Sequence, residues 1–202
     1  FNTEMVRAIL DGRKSCTRRI CKDANEYVVP DMDFFNADKG TYAVHNFADQ
    51  EHTEQLSTAE RSCPICPGDI LYVRETWYKS PSRYMYRADY SGTEKFYRDG
   101  KEIEMKWHPS IHMPKEAARI WLKVTDIKME RLHAISEDEA KQEGANFEDG
   151  KNVGFEEKMK RTAIESFIEI WNSTIKASDI DRYGWDANPY VWAIEFARCE
   201  KP

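Results

Sequence analysis

Hydrophobic positions recur along this chain with two periods and divide it into short elements. Met5, Val6, Ile9 and Leu10 fall on one helical face, with Thr3 placed to cap the start and Gly12 to stop the helix. Ile70 to Trp77, entered through a Pro67-Gly68-Asp69 turn, carries the strongest strand signal of the first half. Period-two alternation there puts Leu71, Val73, Glu75 and Trp77 on one face and Ile70, Tyr72, Arg74 and Thr76 on the other. If Leu71 and Val73 face the core, Glu75 is drawn inward with them. Tyr84 to Tyr90 reads as the next strand. Ala118 to Leu132 reads as a long one, its core positions Ile120, Leu122, Val124 and Ile127 kept in phase by a bulge near Thr125-Asp126. Ser136-Glu137-Asp138-Glu139 is a capping-box pattern opening a brief helix that stops at Gly144. Phe155, Met159, Ala163, Phe167, Ile170, Trp171 and Ile175 recur at helical spacing, a stripe that packs against a sheet, and Trp192, Ile194 and Phe196 alternate along a last strand from Tyr190 to Cys199.

Between these elements lie polar stretches. Tyr27 to Ser62 is mixed, with strand character at Thr41 to Phe47, and Gly92 to Lys106 reads as a hairpin or loop around Asp99-Gly100. Trp107-His108-Pro109-Ser110-Ile111-His112-Met113-Pro114 holds two prolines and cannot be regular helix or central strand. Its aromatic and imidazole groups suit the border of a pocket. No repeat or linker interrupts the series, so residues 1–202 read as one α+β domain, a curled sheet or β-barrel with helices at its rim, and insertions near 23–60 and 91–104.

Composition narrows the functions. With 41% hydrophobic residues the 202-residue chain can bury a real core, and its net charge of -6 argues against holding nucleic acid through bulk electrostatics. A local basic face survives, because Arg7, Arg13, Lys14, Arg18 and Arg19 crowd the first 21 residues against Glu4 and Asp11. No apolar run is long enough for a membrane span and no signal segment opens the chain, so a cytoplasmic, membrane-free protein is expected. Five cysteines fit reduced thiols better than a disulfide framework. Cys63-Pro64-Ile65-Cys66 has the spacing of half a zinc site but lacks an evident second pair, so neither metal nor cofactor is expected.

The stretch most suggestive of chemistry is Gly12-Arg13-Lys14-Ser15-Cys16-Thr17-Arg18-Arg19. Lys14 and Thr17, three apart, share a face on a helix or tight turn and diverge on an extended strand. Together with Gly68-Asp69 and Val73-Arg74-Glu75-Thr76-Trp77 downstream, this segment resembles the ASCH domain of the PUA-like superfamily. The 107–114 loop, Ile135 to Ala140 with Gly144, and Trp185 to Trp192 are similar to phage and prophage members of that family. The resemblance covers nearly the whole chain outside the two insertions. It implies a PUA-like β-barrel and a partner that is RNA or a modified nucleoside. Some small members deacetylate N(4)-acetylcytidine with a lysine, a threonine three residues on and a glutamate from a later strand, positions matched by Lys14, Thr17 and Glu75. This chain is about twice their length, so its additions are placed to reshape the pocket.

In such a reaction Thr17 would attack, Lys14 would accept its proton, and Glu75 would shuttle a proton or hold the base. Bringing a lysine from its reference pKa of roughly 10.4 to about 7 costs roughly 4 to 5 kcal/mol. Repulsion from Arg13, Arg18 and Arg19 would contribute to that shift, whereas a close Glu75 would keep Lys14 charged and suit it to clamp an oxyanion. A structural alternative pairs Lys14 with Glu75 as a salt bridge at the barrel mouth. The competing class is a non-catalytic RNA-binding or regulatory module, in which Trp77, Tyr86 and Trp107 stack a base while Arg18, Arg19, Arg74 and His112 edge the pocket. The expectation is therefore a nucleobase- or nucleoside-binding protein, with amide hydrolysis of an N-acylated cytosine open.

Overall fold

In the computed structural model, residues 1–22, 29–36, 41–47, 55–98, 100–145 and 162–202 are described. The chain is α+β, built on a curled antiparallel half-barrel sheet. Its four strands run in the order β1 (Cys16–Ile20), β11 (Tyr190–Cys199), β10 (Trp121–Arg131) and β5 (Ile70–Tyr72). The long central pair places Val124 opposite Phe196 and Ile127 opposite Ile194, and Thr125 is the extra residue of a bulge between Val124 and Asp126. The sequence-predicted bulge is thus present, and it lets Leu122, Val124, Ile127 and Met129 all stay buried along one bent strand.

Both faces of the central strands are covered. Trp192, Ile194, Val124, Ile127 and Met129 pack with Cys21 and Cys63. Further along the sheet, Ile120, Leu122, Val73 and Phe196 receive Val6 and Ile9 of α1 (Thr3–Leu10). On the opposite face Val191 meets Ala140 of α2 (Glu137–Gln142) and Phe167 and Trp171 of α3 (Ala163–Thr174). Truncating a fully buried member such as Leu122 to alanine removes contacts worth about 2 to 5 kcal/mol.

Local signals explain the element ends. Asn2, rather than the expected Thr3, caps α1 by accepting a hydrogen bond from the Met5 amide, and Gly12 leaves the helix at φ +74°. The predicted capping box at Ser136 forms with Glu139, and Thr162 builds a second with Glu165 that starts α3. Phe155 and Met159 of the expected helical stripe lie outside the described residues. The strand expected over Tyr84 to Tyr90 is shorter: β7 (Tyr84–Tyr86) pairs with β6 (Trp77–Lys79), then Arg87 to Asp89 turns into a 3-10 segment.

The insertions contribute sheets of their own. β2 (Val29–Asn36), β3 (Thr41–Phe47) and β4 (Gln55–Ser62) form a three-stranded antiparallel sheet, and β8 (Phe96–Arg98) pairs with β9 (Lys101–Ile103) as the expected hairpin. A short α4 (Ile180–Tyr183) precedes the loop into β11. Among the described residues no helix is long and apolar enough to cross a membrane.

Candidate functional site

The segment after α1 is extended rather than helical. Lys14 forms a single antiparallel bridge with Glu143, and β1 begins two residues later, so Lys14 and Thr17 do not sit on one turn of a helix. The Lys14 Nζ donates to the Cys16 carbonyl at 2.8 Å, the Glu143 carbonyl at 2.8 Å and Glu143 Oε2 at 2.6 Å. An ammonium has three protons, and each has an acceptor. Burial lowers the Lys14 pKa, and the Glu143 carboxylate opposes that shift. Gly144 makes this approach possible: at φ +82°, an added Cβ would stand 2.9 Å from Ala8 Cβ and 3.3 Å from Lys14 Cβ.

Glu143 is also faced by Arg18, whose Nη1 stands 3.5 Å from Oε1. Arg18 binds Glu130 Oε1 through both Nε and Nη2, at 2.9 and 2.7 Å, and its side chain is fully buried. Burial works against this guanidinium, yet the carboxylates of Glu130 and Glu143 raise its pKa above the ordinary value. Lys128 extends the network by bonding Glu130 and Glu139. Three cations and three carboxylates thus fasten α2 to β1 and β10. Arg18 is structural cement in addition to its place at the cleft described below.

Glu75 is buried to 1% exposure, as alternation predicts, but it does not meet Lys14. Its two oxygens accept from Arg119 Nε and Nη2, both at 2.9 Å, and Arg119 also reaches Asp89. Burial raises the Glu75 pKa against the pull of Arg119. The salt bridge expected between Lys14 and Glu75 is therefore replaced by two separate pairs. Thr17 is buried, and its Oγ1 accepts a hydrogen bond from Arg19 Nη1 at 2.8 Å. None of the three expected catalytic side chains is hydrogen-bonded to another.

Arg19 has a different setting. The same Nη1 donates to the Arg18 carbonyl at 2.8 Å, and the guanidinium stands 5.4 Å from the Phe1 ring centre, which Lys14 Nζ approaches at 5.5 Å. Among the described residues no carboxylate pairs with it. Arg19 is exposed and lines a cleft of about 660 Å³ together with Phe1, Arg18, Thr76, Ser110 and Trp171. The cleft floor is largely apolar, with Met5, Ile20 and Ile175 beside the ring of Trp171. Trp171 is 5% exposed, packed with Phe167 and Val191, and its Nε1 is engaged by the Tyr183 carbonyl at 2.8 Å, so only a small part of a fixed ring reaches the cleft. An apolar cleft of this size with a few convergent polar groups has the properties of a small-molecule site.

The other expected binding residues divide. Arg74 is exposed and donates to the Ile111 carbonyl, and His112 is exposed in the 3-10 turn after Pro109. Trp77 points into the core with Met113, Ala117, Ala118 and Trp121, and Tyr86 is tied there through its hydroxyl to the Ala117 carbonyl. These two do not line the cleft: the strand expected over Ile70 to Trp77 is interrupted, β5 ending at Tyr72 and β6 starting at Trp77, where Trp77 lies opposite Tyr86 and both pack against the same core cluster. Trp107 borders a second cleft with Tyr90 and Phe96. Among the described residues no three His, Cys, Asp or Glu side chains gather to hold a metal ion, and Cys63 is buried in the core. Glu143, Glu130 and Arg119 escaped the sequence reading. The only local signal for Glu143 was its place before Gly144 at a helix end.

Comparison with protein-family models, with curated proteins and with solved structures finds no match to this chain.

Proposed function

We propose that the chain is a PUA-like, ASCH-type module that binds a nucleobase or nucleoside, free or within a strand, in the cleft between β1, α3 and the 109–110 turn. The observation that carries this reading is Arg19: a guanidinium oriented by Thr17 and the Arg18 carbonyl, 5.4 Å from the Phe1 ring centre, in the lining of a cleft that Trp171 also borders. A planar, fixed donor next to apolar rings suits a group that is flat on its faces and rich in acceptors at its edge, as a base or nucleotide is. Thr76 and Ser110 add hydroxyl-bearing residues to the lining. Binding without hydrolysis is favoured because the Thr17 hydroxyl faces a guanidinium, which is no base, and the Lys14 protons are all directed at Glu143 and Cys16.

A second reading, deacylation of an N-acylated cytosine, draws support from one observation. Burial moves the Lys14 pKa downward, the direction a general base requires. Incubation with N(4)-acetylcytidine separates the two. The binding reading expects a saturable isotherm with no release of cytidine, whereas release of cytidine by the wild-type protein would establish the hydrolytic reading in its place. Absence of binding at millimolar nucleoside and nucleotide would overturn both.

A further inference from the structure

The insertion hairpin builds a second cleft, of about 440 Å³, whose lining carries three aromatic rings and an unmatched carboxylate. Antiparallel pairing sets Phe96 opposite Ile103, so the two side chains share the hairpin face that borders the cleft, while the next residue, Tyr97, is exposed. Tyr90 and Trp107 complete the aromatic set. Ring centres stand 5.2 Å apart for Tyr90 and Phe96, 5.7 Å for Tyr90 and Trp107, and 6.2 Å for Phe96 and Trp107. The Phe96 plane lies at 66° to Tyr90 and 78° to Trp107, so the rings meet edge to face, as the corner of a box rather than a stack. All three are half-buried and border the cleft.

Charge decides what such a corner attracts. Among the described residues, two cations and three carboxylates line the cleft. Lys95 is paired with Glu102 at 3.1 Å. Arg87 is held at one wall: its Nη1 donates to the Tyr90 carbonyl at 2.7 Å, and its guanidinium stands 5.9 Å from the Trp107 ring centre. It also packs so closely on Gly92 that an added Cβ there would stand 2.9 Å from Nη2. Glu94 accepts from the Ser91 amide and hydroxyl and from the Gly92 amide, which hold its carboxyl down at about 2, so it is ionised at neutral pH and offsets Arg87. Glu104 is left over: it is exposed, and among the described residues no hydrogen bond or ion pair engages it. The lining therefore carries one negative charge in excess, beside ring faces whose quadrupoles attract cations. A phosphate or carboxylate ligand would meet that excess as repulsion.

A primary ammonium is a poor guest for such rings, because they offer no strong acceptor in exchange for the water it gives up. A methylated ammonium has few or no N–H groups to satisfy, spreads its charge over its methyl groups and gains dispersion contact with each ring. We infer that this cleft is a binding site for a methylated ammonium group, seated among Tyr90, Phe96 and Trp107 with Glu104 as its counter-charge. Two carriers present that chemistry, a free choline-type molecule and the trimethylated lysine side chain of a peptide. The inference does not rest on the nucleobase reading, since it concerns a different cleft and a ligand opposite in charge to a nucleotide.

Isothermal titration of the protein tests it with four ligands: choline, an acetylated trimethyllysine amide, the corresponding unmethylated lysine amide, and 3,3-dimethylbutanol, which has the shape of choline without its charge. The expected result is saturable binding of choline or of the trimethyllysine amide, at least about tenfold tighter than binding of the neutral alcohol and of unmethylated lysine. Whichever of the two binds more tightly identifies the carrier. Glu104→Gln, at an exposed position, weakens that binding by about threefold with an unchanged urea midpoint. Trp107→Phe keeps a ring and retains most of the affinity, whereas Trp107→Leu loses it. A neutral alcohol that binds as tightly as choline overturns the inference, because the cleft then selects apolar shape and not charge. Wild-type affinity in both Glu104→Gln and Trp107→Leu overturns it as well, and so does the absence of saturable binding at about 10 mM of either methylated ligand.

Discussion

Lys14 directs all three of its ammonium protons at acceptors, and two of those acceptors belong to Glu143. The lysine thereby fastens the end of α2 to the segment leaving α1, and its removal leaves Glu143 buried with its closest charge partner gone and Arg18 at 3.5 Å. Lys14→Ala is expected to lower the unfolding free energy by about 3 to 5 kcal/mol in urea titration. The double variant Lys14→Met, Glu143→Gln recovers the larger part, because it removes the stranded charge. A single-variant loss below about 1 kcal/mol would contradict a tightly coupled pair.

Arg119 is the corresponding partner of Glu75. Arg119→Ala leaves a carboxylate in the core and is expected to destabilise by about 3 kcal/mol at neutral pH. Burial already raises the Glu75 pKa, so acid relieves the stranded charge by protonating it. The deficit relative to wild type therefore shrinks as the pH falls toward 4; a pH-independent deficit would show that lost packing, not charge, is responsible.

Glu139 sets a separate pH dependence. Although burial opposes it, bonds from Lys128 and Ser136 bring its carboxyl from 4.5 to about 2 in the folded chain. A lowered folded pKa contributes stability that is complete above about 4.5 and is lost as the pH falls toward 2. Glu139→Gln should flatten the stability profile in that window while lowering stability above it. Parallel profiles for wild type and variant would exclude this contribution.

Arg19 lines the cleft and forms no ion pair among the described residues, so its replacement acts on the cleft more than on the fold. Arg19→Ala is expected to weaken nucleotide binding by about tenfold or more, as loss of a charge-assisted hydrogen bond does. Its unfolding free energy should stay within about 0.5 kcal/mol of wild type. A variant that binds normally would remove Arg19 from the site.

Much of the fold was legible in local pattern. Alternation placed Val73, Glu75 and Trp77 inward, the bulge at Thr125 followed from the change of phase along Ala118 to Leu132, and the capping box at Ser136 formed as spelled. What could not be read was which buried charge meets which. Glu75 lies 44 residues from Arg119 and Lys14 lies 129 from Glu143, and no periodicity reports such separations. The same limit scattered the expected aromatic pocket. Trp77 went to the core with its strand face, Trp107 went to a second cleft with the insertion hairpin, and Trp171, assigned to helix packing from its spacing, also lines the first cleft.

The most direct measurement of the central claim is an NMR titration of the protein with N(4)-acetylcytidine and cytidine 5′-monophosphate, following the indole N–H of each tryptophan and the Nε–H of each arginine. The predicted result is saturable movement of the Trp171 and Arg19 signals, with Trp77 and Trp121 unmoved. Absence of any shift at millimolar ligand, or shifts that leave Trp171 and Arg19 in place, would contradict a nucleobase site in this cleft.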